Sequence, residues 1–109
     1  AQYERNLALL VGRLRKTGAR LIWASTTPVP NLRVGPKRIP DDVPRYNEAA
    51  ARVMKQYGVP TDDLYTFAMK RLAEIQIPDN VHFKPEGSRA LAEQVASAIL
   101  AELPGRPTR

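Results

Sequence analysis

Gly18-Ala19-Arg20-Leu21-Ile22-Trp23-Ala24-Ser25-Thr26-Thr27-Pro28 is the stretch that decides the fold class of this chain. Residues 20–25 form a short apolar run bounded by Gly18 and Pro28, the pattern of a parallel strand covered on both faces. Just before it, Tyr3, Leu7, Leu10, Val11 and Leu14 recur at helical spacing with Glu4, Arg5, Arg13 and Arg15 between them. That spacing predicts an amphipathic helix over residues 2–16, ended by Gly18. Helix, tight glycine turn and buried strand make half of a βαβ unit, so the expected class is α/β.

Working onward, residues 26–40 hold four prolines and no periodicity, and they read as a long loop leaving the strand. Ligands of open parallel sheets bind beyond the carboxyl ends of the strands, where residues 25–30 would lie. Asp41 or Asp42 then caps a second helix, with Pro44 in its first turn. Val43, Tyr46, Ala50, Val53, Met54 and Tyr57 share one face of that helix, and Gly58 closes it. Residues 59–64 read as a weak strand suited to a sheet edge, because Pro60 removes a ladder donor and Asp62 and Asp63 are poor strand formers.

Leu64, Phe67, Ala68, Leu72 and Ile75 predict one further helix, with Asp63 as its N-cap. After a loop over residues 78–83, Pro85 opens a last helix whose inner face is Leu91, Val95, Ala98 and Ile99. Residues 104–109 read as a flexible tail.

Composition narrows the function classes. With 109 residues, 43% of them hydrophobic and 26% charged, the chain is globular and has room for one core. No apolar run reaches the roughly 20 residues that a membrane helix needs. The absence of cysteine removes disulfides, thiolate catalysis and cysteine-ligated metals, while leaving the compartment open; a secreted or periplasmic location is compatible with it. The net charge of +6 raises the question of an anionic partner. The basic residues are dispersed, however: Arg13, Arg15, Lys16 and Arg20 near one helix end, Arg33, Lys37 and Arg38 in a loop, Arg106 and Arg109 in the tail. They form no stripe, and nucleic acid is not an expected partner. The chain opens on alanine directly into the helical pattern, with no signal segment, and the expectation is that the translation start lies upstream.

His82 is the one histidine, so imidazole general-base chemistry at neutral pH must use it. Asp79 precedes it by three residues, and in a tight loop its carboxylate can return to the imidazole Nδ1–H, leaving Nε2 to take a proton from a hydroxyl nucleophile. By itself Asp-x-x-His is a weak motif, common in surface turns where the Asp caps the next helix. Ser25 lacks the Gly-x-Ser-x-Gly elbow, and its expected role is packing; Ser88 and Ser97 belong to the last helix. A metal site would need more than one histidine with clustered carboxylates, and Asp41-Asp42 and Asp62-Asp63 read as helix caps. Gly-x-Gly-x-x-Gly and Gly-Lys-Ser/Thr loops are absent, and no cofactor is expected. Among the aromatics, Tyr46 is the one to consider for stacking on a ligand.

The whole stretch Asp79-Asn80-Val81-His82-Phe83-Lys84-Pro85-Glu86-Gly87-Ser88-Arg89-Ala90-Leu91-Ala92-Glu93-Gln94-Val95-Ala96 resembles the last conserved block of the SGNH/GDSL hydrolases. So do Tyr3-Glu4-x-Asn6-Leu7, residues 18–30, Tyr46-Asn47-x-x-Ala50 and Gly58-Val59-Pro60, which look like the elements following that family's third block. The resemblance covers residues 3–100 and implies the C-terminal half of a three-layer α/β/α, flavodoxin-like fold with a parallel sheet. It makes residues 1–103 one segment of a single hydrolase domain. It also implies that Asp79 and His82 complete a Ser-His-Asp triad acting on acyl esters, with acetylated sugars as the favoured substrate class.

Two departures stand out. Lys84 occupies the position where Thr could cap the last helix, and the family's Gly-Asp-Ser, oxyanion-glycine and Gly-x-Asn-Asp blocks are missing. The nucleophile and oxyanion donors would then come from an N-terminal half, in the same polypeptide or as a separate chain joined through a large apolar interface. Alone, the chain is expected to be inactive and aggregation-prone. The rival reading is a non-catalytic binding domain or remnant that uses Arg33, Lys37 and Arg38 on an anionic partner.

Overall fold

A computed structural model describes residues 2–29, 42–78 and 82–104. The first helix, α1 (Gln2–Arg15), ends where predicted, with Gly18 at φ 80°, in the left-handed region that an L side chain resists. Strand β1 (Trp23–Ala24) follows, then α2 (Asp42–Tyr57) and strand β2 (Thr61–Asp62). The two strands are parallel, with Trp23 opposite Thr61 and Ala24 opposite Asp62. Parallel strands need a crossover, and α2 supplies it.

The end of α2 is a Schellman motif. Gly58, at φ 67°, donates its N–H to Lys55 O at 3.3 Å, and Val59 donates to Met54 O at 2.8 Å. This aims Val59 back at the core, where Leu7 and Val11 of α1 meet Ala50, Val53 and Met54 of α2. Leu21, Trp23 and Val59 pack on the same cluster, so one face of the small sheet lies against α1 and α2. Asp62 points the other way along its strand and accepts a hydrogen bond from Gln94 of the last helix at 3.2 Å.

Several expectations need correction. The strand predicted over residues 20–25 is ordered as a ladder only at Trp23–Ala24, and Ala24 is exposed rather than covered on both faces. A ladder extends only where a neighbour supplies partners, and β2 is the single neighbour among the described residues. The chain is α/β, mostly helical around a two-stranded parallel sheet. So small a sheet cannot cover every apolar helix face. Leu10 and Leu14, assigned to the inner face of α1, are 55% and 51% exposed, and Ile99 of the last helix is 46% exposed. Tyr46, placed on the core face of α2, is also exposed and packs edge-on against Tyr3.

The helix predicted from Leu64 to Ile75 is two helices, α3 (Leu64–Met69) and α4 (Leu72–Ile75). The break is at Arg71, whose φ of −128° leaves the helical region. Its cause is tertiary, because the turn brings Ile75 onto the start of α5 (Pro85–Glu102), where Gly87 is buried. Pro85 opens α5 as predicted, and Lys84 supplies no side-chain cap. No helix among the described residues is long and apolar enough to cross a membrane.

Candidate active site

His82 lies in the connection between α4 and α5, and that connection is held at three points. Ile77 N–H donates to His82 O at 3.0 Å, Gln76 and Phe83 form an antiparallel bridge, and Lys84 N–H donates to Ile75 O at 2.7 Å. The chain therefore leaves α4 and returns alongside itself, with His82 on the returning limb and its residue exposed to solvent. Asp79, the predicted partner of His82, lies outside the described residues, as do the basic loop residues Arg33, Lys37 and Arg38.

Gly87 fixes this limb from behind. A Cβ built there would stand 2.4 Å from Ile75 O and 2.9 Å from Ile75 Cα, so only glycine lets the first turn of α5 close on α4. The same Ile75 carbonyl receives the Lys84 N–H. Pro85, Gly87 and Ile75 thus set the position from which His82 projects.

Gln76 ties that limb to the strands. Its buried side chain donates from Nε2 to Pro28 O at 3.2 Å, three residues beyond Ser25 at the exit of β1. Asn47 of α2 holds the same exit reciprocally: Thr26 N–H donates to Asn47 Oδ1 at 2.9 Å, and Asn47 Nδ2 donates to Thr26 O at 3.0 Å. Gln76 and Asn47 therefore tie the segment leaving β1 to the α4–α5 connection and to α2, beyond the carboxyl end of the strand, the side on which open parallel sheets take their ligands. Asn47 belongs to the Tyr46-Asn47-x-x-Ala50 segment of the resemblance, whereas Gln76 does not stand out in the sequence. The only signal for Gln76 is an amide lodged between Ile75 and Ile77.

Ser25, considered and set aside as a nucleophile, is 8% exposed and fully engaged. Its Oγ donates to Asp63 Oδ1 at 3.2 Å and accepts from Tyr65 N–H at 2.9 Å. Asp63 caps α3 as predicted, with Oδ1 accepting from Thr66 N–H at 3.1 Å and Oδ2 from Thr66 Oγ1 at 2.6 Å. Burial works to raise the Asp63 carboxyl, but these bonds from Thr66 and Ser25, with Lys70 nearby, hold it below the ordinary carboxylate value. Asp62 does not cap a helix, contrary to expectation: it is 5% exposed in β2, where strand alternation turns it inward towards α5.

Among the described residues no group of three or more His, Cys, Asp or Glu side chains could hold a metal ion. A solvent-accessible imidazole on a braced limb can take and return a proton, and the described serine nearest the strand ends is committed to a helix cap. No protein-family model matches the chain, and no curated protein matches it.

Proposed function

We propose that this chain is the general-base part of a serine ester hydrolase of the SGNH/GDSL type. The observation that carries the reading is the placement of His82. It sits on a limb braced by Gly87 and tied through Gln76 to the segment that leaves β1, and open parallel sheets take their ligands beyond the carboxyl ends of their strands. The block of residues 79–96 supplies the family context.

In this reading His82 removes the proton from a serine hydroxyl as its oxygen bonds to the acyl carbon. It then delivers that proton to the leaving alcohol as the ester C–O bond breaks, and water repeats the sequence to free the acid. Asp79 orients the imidazole and stabilises its cation. The serine and the oxyanion donors lie outside these 109 residues. The fold would be the C-terminal half of a three-layer α/β/α domain. That is supported by α1 and α2 packing on the Trp23 side of the sheet, by α5 reaching Asp62, and by the exposed apolar residues Leu10, Leu14 and Ile99, which a further half would cover. Acetylated carbohydrate is the proposed substrate class.

Labelling the natural polypeptide or complex with a fluorophosphonate and mapping the modified peptide tests this. The expected adduct falls on a serine outside residues 1–109. Labelling of Ser25, Ser88 or Ser97, or no labelling at all, contradicts the proposal.

A further inference from the structure

We propose that the cleft between the first turns of α1 and α2 is a binding subsite for an uncharged sugar residue, with the Tyr46 ring as its platform. The claim that this sugar belongs to the substrate rests on the ester-hydrolase reading; the binding itself does not.

The cleft has a volume of about 480 Å³ and is lined by Tyr3, Tyr46 and a mixed set of charged side chains. Tyr46 is 51% exposed, so half of its surface is open to a ligand. Tyr3 meets it edge-on, with centroids 4.8 Å apart and planes at 86°, so the orientation of the open ring is set before any ligand arrives. Burial, with the proximity of Tyr46, raises the Tyr3 phenol above its ordinary value, so it remains a neutral hydroxyl that can both donate and accept.

Around these rings, donors and acceptors alternate. Arg52 of α2 pairs with Glu4 of α1 across the cleft, Arg45 pairs with Asp42 at 3.8 Å, and Glu48 completes the lining. Three carboxylates face two guanidiniums, so the cleft offers no surplus positive charge to a phosphate or a sulfate. What fits is a ligand with one apolar face and a rim of neutral hydroxyls. A pyranose has both: its axial C–H groups lie on an aromatic face, and its hydroxyls donate to carboxylates and accept from guanidiniums.

Position links the cleft to His82. Tyr46 adjoins Asn47, which clamps Thr26, and two residues further on Pro28 O receives Gln76, the residue bridged to Phe83 beside His82. The cleft is thus joined to the limb that carries His82 through α2, the segment leaving β1 and Gln76.

The test is a titration of the 15N-labelled protein with cellotetraose, xylotetraose and tetra-N-acetylchitotetraose, with AMP as a fourth probe. At least one sugar is expected to give saturable shifts at Tyr3, Tyr46 and Arg52. Tyr46→Ala should weaken that binding about ten-fold, while Tyr46→Phe and His82→Ala retain it. No saturation with any sugar, binding of AMP alone, or undiminished binding by a folded Tyr46→Ala overturns the proposal. In the complete enzyme, Tyr46→Ala should raise KM for an acetylated oligosaccharide by a similar factor, with kcat changing less. If sugars bind at Tyr46 but no ester is cleaved, the subsite stands and the hydrolase reading fails.

Discussion

Replacing Gly87 by alanine would add one methyl group at the contact that braces His82. The new Cβ would lie 2.4 Å from Ile75 O, 2.6 Å from Ile75 Cβ and 2.9 Å from Ile75 Cα, against an ordinary contact of about 3.5 Å. Two of those three atoms are backbone, so relief requires α5 to move by roughly 1 Å relative to α4. Overpacking of this kind costs about 1–3 kcal/mol, and the better helix propensity of alanine returns at most about 1 kcal/mol, less in a first turn. At about 4–8 °C per kcal/mol for a domain of this size, Gly87→Ala should lower Tm by roughly 5–15 °C. Gly12→Ala is the matched control. Gly12 lies inside α1 with nothing within 4 Å of its added Cβ, so that variant should gain about 0.5–1 kcal/mol. Thermal melting and urea denaturation of the complete enzyme, both followed by circular dichroism, measure the Tm and free-energy changes. A Gly87→Ala protein as stable as wild type, or stabilised like Gly12→Ala, would refute the claim that glycine is required where α5 meets α4.

Asp63→Ala should cost about 1 kcal/mol through loss of the α3 cap. Because the folded Asp63 carboxyl titrates below its unfolded value, its contribution is present above that unfolded value and fades as pH falls, so the gap between wild type and variant should narrow below about pH 4 in urea melts. Ser25→Ala leaves Tyr65 N–H without its acceptor and should cost about 1–3 kcal/mol while leaving the activity of the folded enzyme intact, as esterase assays on thermally matched samples would show. Gly58→Ala places a Cβ at φ 67° and should destabilise by about 1–2 kcal/mol, measured by thermal melting. With Leu9 67% and Leu10 55% exposed, the chain on its own should self-associate in sedimentation experiments, and a sharp thermal transition with a monomeric radius would count against this.

The parts of this fold that were legible in the sequence were the locally encoded ones. Gly18 and Gly58 ended their helices, Asp63 capped α3, and Pro85 opened α5, because each acts through its own φ or its own side chain. Non-local effects were not legible. The apolar spacing from Leu64 to Ile75 runs on without a glycine or proline, so nothing local announces the break at Arg71, which follows from docking Ile75 on Gly87. The length of β1 depends on how many partners its neighbour offers, and the turning of Asp62 towards α5 depends on strand register, which is set by pairing. His82 is singled out in the sequence because no other imidazole competes with it. Its anchoring by Gln76 spans 48 residues to Pro28, a contact that no sequence window contains.

The most direct test of the central claim is the turnover of an acetyl ester by the complete enzyme carrying His82→Ala, with folding checked by circular dichroism. Thermal melting of the same variant separates a loss of turnover from a loss of folded protein. In the variant kcat should fall by about 10⁴-fold or more, as expected when the base of a triad is removed. A fall of only a few-fold would contradict it.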